Sequence, residues 1–246
     1  MGGELCVRYE DSELIVADKP AGMHTAPLAP GDTGTLLALV MEAFPEVGAL
    51  PGIKPVEPGL VHRLDRETSG LVVIARTAGA FDALRRSFAS GGARKDYVAA
   101  CAEAGGDVSG NLRIESRFAP YGPGRRMVRP VLAGERSPKL LAEASPGLYT
   151  TEAQIIDRRG GRAMITAWIL KGFRHQVRAH LAFLGFPILG DSVYGAVVPG
   201  GFAARMYLHA GRIEVAHPGT GRPLVVESPV PDEFMSLFES SKGAHQ

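Results

Sequence analysis

The sequence predicts an α+β fold, a largely antiparallel mixed sheet with flanking helices. Strand-like runs recur along the whole chain, and two of the turns between them carry hairpin signals. Helical periodicities are few and do not alternate with the strands as βαβ units would. A chain of 246 residues, 45% of them hydrophobic, can bury one good-sized core, so a single domain over residues 1–246 is expected.

Taken in order, LCVRYE and ELIVADKP are separated by Asp11 and Ser12 and read as a hairpin of half-buried strands, leading into the Pro20-Ala21-Gly22 turn. From Thr35 to Phe44, Leu36, Leu37, Leu39, Val40 and Phe44 recur at helical spacing; Thr33 or Thr35 supplies the cap and Pro45 ends the run. A Pro- and Gly-rich stretch over 51–59 precedes LVHRLDRETSGLVVIAR, where polar residues sit between apolar runs and chemistry is expected. A second helix spans Ala78 to Phe88, and RKDYVAACAE alternates like a strand. The arginine-rich region with YGPGRR reads as loop and edge structure. TTEAQIIDRRGGRAMITAWIL reads as two strands around Gly160-Gly161, and HQVRAHLAFLG as a helix stopped by Gly185.

Net charge is only +1, but it is unevenly spread. Residues 1–50 carry eight acids against Arg8 and Lys19, a poor surface for a polyanion. Residues 113–139 carry six arginines and Lys139 against Glu115 and Glu135, which is either a phosphate-binding stretch or a solvated face. Cys6 and Cys101 fit no C-x-x-C or Cys/His pattern, so neither a disulfide framework nor a zinc site is expected, and a reducing cytoplasm fits. No apolar run reaches the ~18 residues of a membrane span, and the acidic start is unlike a signal peptide.

In VHRLDRETSGLVV one carboxylate, Asp65, lies between Arg63 and Arg66. Nearby cations keep a carboxylate ionised, and an ionised carboxylate can attack a sugar carbon, act as a base or simply anchor an arginine. Glu67, two residues on, makes a glycosidase-like acid/base pair conceivable. His175 and His180 are five apart rather than the four of a helical zinc pair, which leaves them structural or RNA-facing and no metal expected.

The string HRLDRETSGL resembles, nearly letter for letter, the central motif of the RluA-type pseudouridine synthases. YEDSELIVADKPAGM at Tyr9, GFPILGDSVYG at Gly185, LHAGRIEV at Leu208 and the HPGTGRPLVVESPVP tail are similar to further family segments in the family's order. The resemblance runs from about Leu5 to Phe234 and is weakest between Asn111 and Leu148. It implies the pseudouridine synthase catalytic fold without an appended N-terminal RNA-binding domain. It also implies a cofactor-free isomerisation in which the N1 glycosidic bond of a uridine in ribosomal or transfer RNA breaks and C5 joins the sugar. Asp65 would be the essential aspartate, whether by attack on the sugar, attack on the base or a glycal route.

The resemblance further implies that Tyr97 lies by the base and serves in proton removal from C5, and that Arg63 fills the stack left by an extruded nucleotide, or else pairs with Asp65. His62, Arg66, His175, Val177 and Arg178 fall at the substrate in the same comparison, with His62 also readable as a packed, hydrogen-bonded residue. One segment departs from the family. Where its members read Thr-Gly-Arg-Thr-His-Gln-Ile-Arg, this chain has KGFRHQVR, so Phe173 replaces the arginine expected to pair with the aspartate. Arg174, one step later, is expected to take over that pairing through a bulge or loop. An RNA chaperone without turnover and a hydrolase using Asp65 and Glu67 are the competing classes. The partner is RNA, with no membrane, and the oligomeric default is a monomer.

Overall fold

The computed structural model describes residues 4–103, 110–195 and 205–239. The chain forms two compact units, one from the residues up to Asp96 together with His209–Pro229, the other from Tyr97–Leu208 together with Val230 onward. Each contains strands and helices.

In the first unit, β1 (Cys6–Glu10) and β2 (Leu14–Lys19) form the expected hairpin. Asp11 closes the turn by accepting from the Glu13 and Leu14 amides, at 2.8 and 3.0 Å. β2 is more deeply buried than alternation alone predicts, because it lies between β1 and β3 (Ser69–Ala75). β3 runs antiparallel to β2 and briefly parallel to β9 (Leu208–Ala216), through Ser69 opposite His209 and Gly70 opposite Ala210; β10 (Pro223–Glu227) completes the sheet on β9. Helix α1 (Leu36–Ala43) is capped by the Thr35 hydroxyl, which accepts from Ala38 N at 3.2 Å. Helix α2 (Ala78–Ser90), capped by Thr77, buries Ala80, Phe81, Leu84 and Phe88 against Leu71, Val73, Ile213 and Val215. Gly70 is required where it stands. With φ +116°, a side chain there would collide with the Ala210 backbone, so β3 and β9 approach as only glycine permits.

In the second unit the strand order is β4 (Arg94–Ala102, whose first three residues belong to the first unit), β8 (Arg162–Ile169), β7 (Tyr149–Arg159), β5 (Asn111–Tyr121) and β6 (Met127–Val131). The arginine-rich region is therefore not mainly loop. β5 is an eleven-residue strand paired on both sides, with Leu112, Ile114, Ser116 and Phe118 turned inward and Arg113, Glu115 and Arg117 outward. Dense arginines on the outer face hide that period of two in the sequence. A short helix α3 (Pro138–Glu143) is capped by Ser137. Helix α4 (Gln176–Phe183) ends before Gly185, as its sequence predicts.

Helix α5 (Asp232–Glu239) has no counterpart in the sequence reading. Phe234, Leu237 and Phe238 pack with Ala100, Met164, Leu189 and Tyr207, while Arg162 donates to the Leu237 carbonyl at 2.8 Å at the helix C-terminus. Among the described residues no helix is long and apolar enough to cross a membrane.

His180, on α4, is fully buried beneath Phe118, with one ring nitrogen 2.9 Å from Ser116 Oγ and the other 2.7 Å from Thr151 Oγ1. Burial pulls its pKa down to about 4. Below the ordinary value of 6.5 the unfolded chain binds a proton that the folded chain refuses, so stability is lost as pH falls through that window. The expected loss from this group is about 2 kcal/mol between pH 7 and pH 5. His62, also held below its ordinary value, adds to the same window. Denaturant titrations of wild type and His180→Gln at the two pH values isolate the His180 share, which should be missing from the variant.

Candidate active site

In the first unit Asp65 lies in the loop between Val61 and β3, and the backbone on either side of it is held by the strand-to-helix segment 19–25. The Thr25 hydroxyl donates to the Leu64 carbonyl at 2.7 Å and accepts from Leu64 N at 3.2 Å. Gly22 N donates to the Arg66 carbonyl and Arg66 Nε returns a bond to the Gly22 carbonyl, both at 2.9 Å. Lys19, fully buried at the end of β2, spends its ammonium on the carbonyls of Pro20, Met23 and Arg66. The Asp65 carbonyl itself closes a turn by accepting from Thr68 N at 3.1 Å. A half-buried carboxylate is thus carried on a backbone anchored at both neighbours, the preorganisation that a nucleophile or base requires.

The flanking residues divide by role. His62 Nε2 accepts from Val73 N at 3.0 Å and its ring stacks on Phe88 at 4.6 Å. Burial, reinforced by the charges of Lys95 and Arg85, holds its pKa well below the usual value. It is a neutral, packed imidazole. Arg63 is half exposed and pairs with Glu57, Nη1 to Oε1 at 2.6 Å. Arg66 is exposed and its guanidinium lies 3.6 Å from the Glu67 carboxylate, an ion pair at the surface.

In the second unit Tyr97 is buried on β4. Phe173, at the position where the family carries arginine, stacks on Phe118 at 4.9 Å with ring planes 4° apart and lies against Tyr149. The substitution thus serves an aromatic cluster. Phe173 N donates to Gln176 Oε1, and the Gln176 amide donates to the Thr150 carbonyl, which seats the start of α4. Arg174 points its Nη2 at the Arg125 carbonyl, 2.9 Å away, and so pins the YGPGRR tip, where Arg125 itself sits at φ +54°.

His175, with φ +57° at the cap of α4, places Nδ1 3.1 Å from the Tyr194 hydroxyl, which also accepts from Val128 N at 2.8 Å. Burial pushes the Tyr194 hydroxyl up to about 12, so it stays protonated. Val177 is buried in α4. Arg178 is buried and forked onto Asp191, Nε and Nη2 each 2.7 Å from a carboxylate oxygen, and its guanidinium lies over the Tyr194 ring. His175, Arg178, Asp191 and Tyr194 form one linked group. The imidazoles of His175 and His180 are engaged by hydroxyls, and no cluster of three or more metal-ligating side chains occurs among the described residues.

The sequence reading missed Lys19, Glu57, Asp191 and Tyr194. Asp191 and Tyr194 lie in the quoted GDSVYG stretch, whose aspartate four residues before a glycine was the available signal. Glu57 was hidden in a Pro- and Gly-rich stretch, and nothing in the local sequence marks Lys19 as buried.

Two solved human proteins share this fold. RNA pseudouridylate synthase domain containing 1 superposes with a TM-score of 0.69 at 22% identity, over 92% of this chain and 83% of its own. RNA pseudouridylate synthase domain containing 4 superposes with a TM-score of 0.67 at 19% identity, over 94% and 90%. Residues 13–183 match the family described as RNA pseudouridylate synthase. The ribosomal large subunit pseudouridine synthase D of Pseudomonas aeruginosa is 29% identical over 96% of this chain and 71% of its own length, and that of Nitrosomonas europaea 30% identical over 96% and 65%. The chain spans about two thirds of the length of these two relatives. It belongs to the RNA pseudouridylate synthase family, isomerases that convert uridine to pseudouridine.

Proposed function

We propose that this protein converts uridine to pseudouridine in ribosomal RNA, with Asp65 as the nucleophile. The observation that carries the reading is the anchored loop. The residues that match the family's central motif hold a half-buried carboxylate between two backbone clamps. Ribosomal RNA is favoured because the similar proteins of Pseudomonas aeruginosa and Nitrosomonas europaea are named for the large ribosomal subunit. In this reading Tyr97 assists proton removal from C5, a role that rests on the motif match, and Arg174, one residue past the family's arginine position, pairs with Asp65. The hydrolase alternative loses support from the Arg66–Glu67 pair, which occupies its second carboxylate at the surface. Release of tritium from C5-labelled uridine in ribosomal RNA tests the proposal. Binding without release would identify a non-catalytic RNA-binding protein, free uracil a hydrolase, and release from transfer RNA alone a different substrate.

Binding should weaken as salt rises. Arg125 and Arg126 lie at the exposed tip between β5 and β6, and Arg129 lies on β6 over the Tyr121 ring. Reversing Arg125 and Arg126 to Glu is expected to lower RNA affinity and to make the slope of log K against log salt shallower by about 1.5 to 2. Filter binding across a salt series checks this. An unchanged slope would make the tip a bystander.

A further inference from the structure

Glu57 is a buried carboxylate, 1% exposed, paired with Arg63, two residues before Asp65 in the chain. Its Oε1 accepts from Arg63 Nη1 at 2.6 Å, and Lys54 Nζ lies 3.6 Å from the same oxygen. The backbone beneath it has little freedom. Glu57 N donates to the Lys54 carbonyl and Leu60 N to the Glu57 carbonyl, Gly59 N donates to the Pro51 carbonyl, and the Gly59 carbonyl receives Ala75 N from β3. Gly52 packs so closely on the Glu57 carbonyl that a Cβ there would overlap it. The carboxylate is therefore a fixed point, whereas Arg63, with its side chain 43% exposed, is held by one nitrogen. The other guanidinium nitrogens meet no partner among the described residues, and the flat faces of the group remain available for stacking.

We infer that Glu57 is the positioning residue that presets Arg63 for entry into the gap left by an extruded nucleotide, an inference that rests on the proposed function. A free arginine must be ordered before it can stack, and that ordering subtracts from the stacking gain. An arginine already tethered at one nitrogen has met part of that cost. Substrates with a base stack to open should feel the tether, whereas substrates with no stack should not.

The experiment uses the intact protein with a transcript of large-subunit ribosomal RNA labelled at uridine C5, given either folded in magnesium or cut into short unstructured fragments. Wild type, Glu57→Gln, Arg63→Ala and the double variant are compared. Glu57→Gln is expected to lower kcat/KM on folded RNA about fivefold, to stay within about twofold of wild type on fragments, and to add nothing in the Arg63→Ala background. Equal losses on both substrates would show a merely structural ion pair, and no loss, or losses that add with Arg63→Ala, would equally overturn the role. If fragments are not substrates at all, the double-variant comparison on folded RNA decides alone. If wild type releases no tritium from either form, the functional reading itself fails and the positioning role falls with it. Activity that depends on Asp65 but not on Glu57 overturns only the inference.

Discussion

Asp65→Asn is expected to abolish pseudouridine formation, with a fall of at least about 10³-fold in the rate of tritium release. The amide keeps the shape of the side chain but removes the negative charge and the nucleophilic oxygen, so no covalent adduct can form and leave. The loop should survive. Its anchors run from Thr25, Gly22, Lys19 and Thr68 to backbone atoms of residues 64–66, and none of these bonds uses the Asp65 side chain. The melting temperature should therefore change by only a few degrees, and filter binding should report RNA affinity close to that of wild type. Asp65→Ala should behave alike. Tritium release at the wild-type rate from either variant would end the assignment of the nucleophile, whereas loss of activity together with loss of fold would point to a structural aspartate.

The largest effect on stability is expected at Asp191. Its carboxylate has no exposed side-chain surface, and the side chain of Arg178 is 8% exposed, so Asp191→Ala would remove the carboxylate onto which a buried guanidinium forks and leave the amides of Val193 and Tyr194 without this acceptor. Removing one partner of such a pair costs about 3–5 kcal/mol. The damage should spread to Tyr194, whose hydroxyl links Val128 and His175, and so to the start of α4. Loss of soluble protein, or a large drop in the denaturant midpoint, is the expected readout, with Asp191→Asn milder because it keeps the shape.

The pH dependence follows the same pair. Burial opposes ionisation of Asp191, but the hydrogen bonds and charge of Arg178, with the two amides, outweigh it and hold the folded pKa below the ordinary value. A depressed carboxylate stabilises the fold above the unfolded pKa, near 4, and that contribution is lost as pH falls below it. Asp11 acts in the same direction, since the Tyr9 hydroxyl, the Glu13 amide, His217 and the Leu14 amide overcome its burial. Stability of Asp191→Asn within about 0.5 kcal/mol of wild type at pH 7 would show that the buried pair contributes little.

Local signals were enough for much of this molecule. The N-terminal hairpin, the Thr35 cap, the Gly160-Gly161 turn and the stop of α4 at Gly185 are each decided within a few residues, by alternation, capping chemistry or glycine's access to positive φ. The ten-residue run from His62 to Leu71 was likewise sufficient to indicate the family, and with it the carboxylate on which the chemistry is proposed to rest. Sequence did not determine where charge ends up. Arg63 pairs with Glu57 six residues away, Arg178 with Asp191, and Arg174 with a carbonyl nearly fifty residues distant. Lys19 serves a carbonyl across 47 positions. A buried ion or amide is satisfied by whichever partner the packed chain brings within about 3 Å. That distance is set by long-range strand pairing and helix docking, which a linear pattern of residues does not encode.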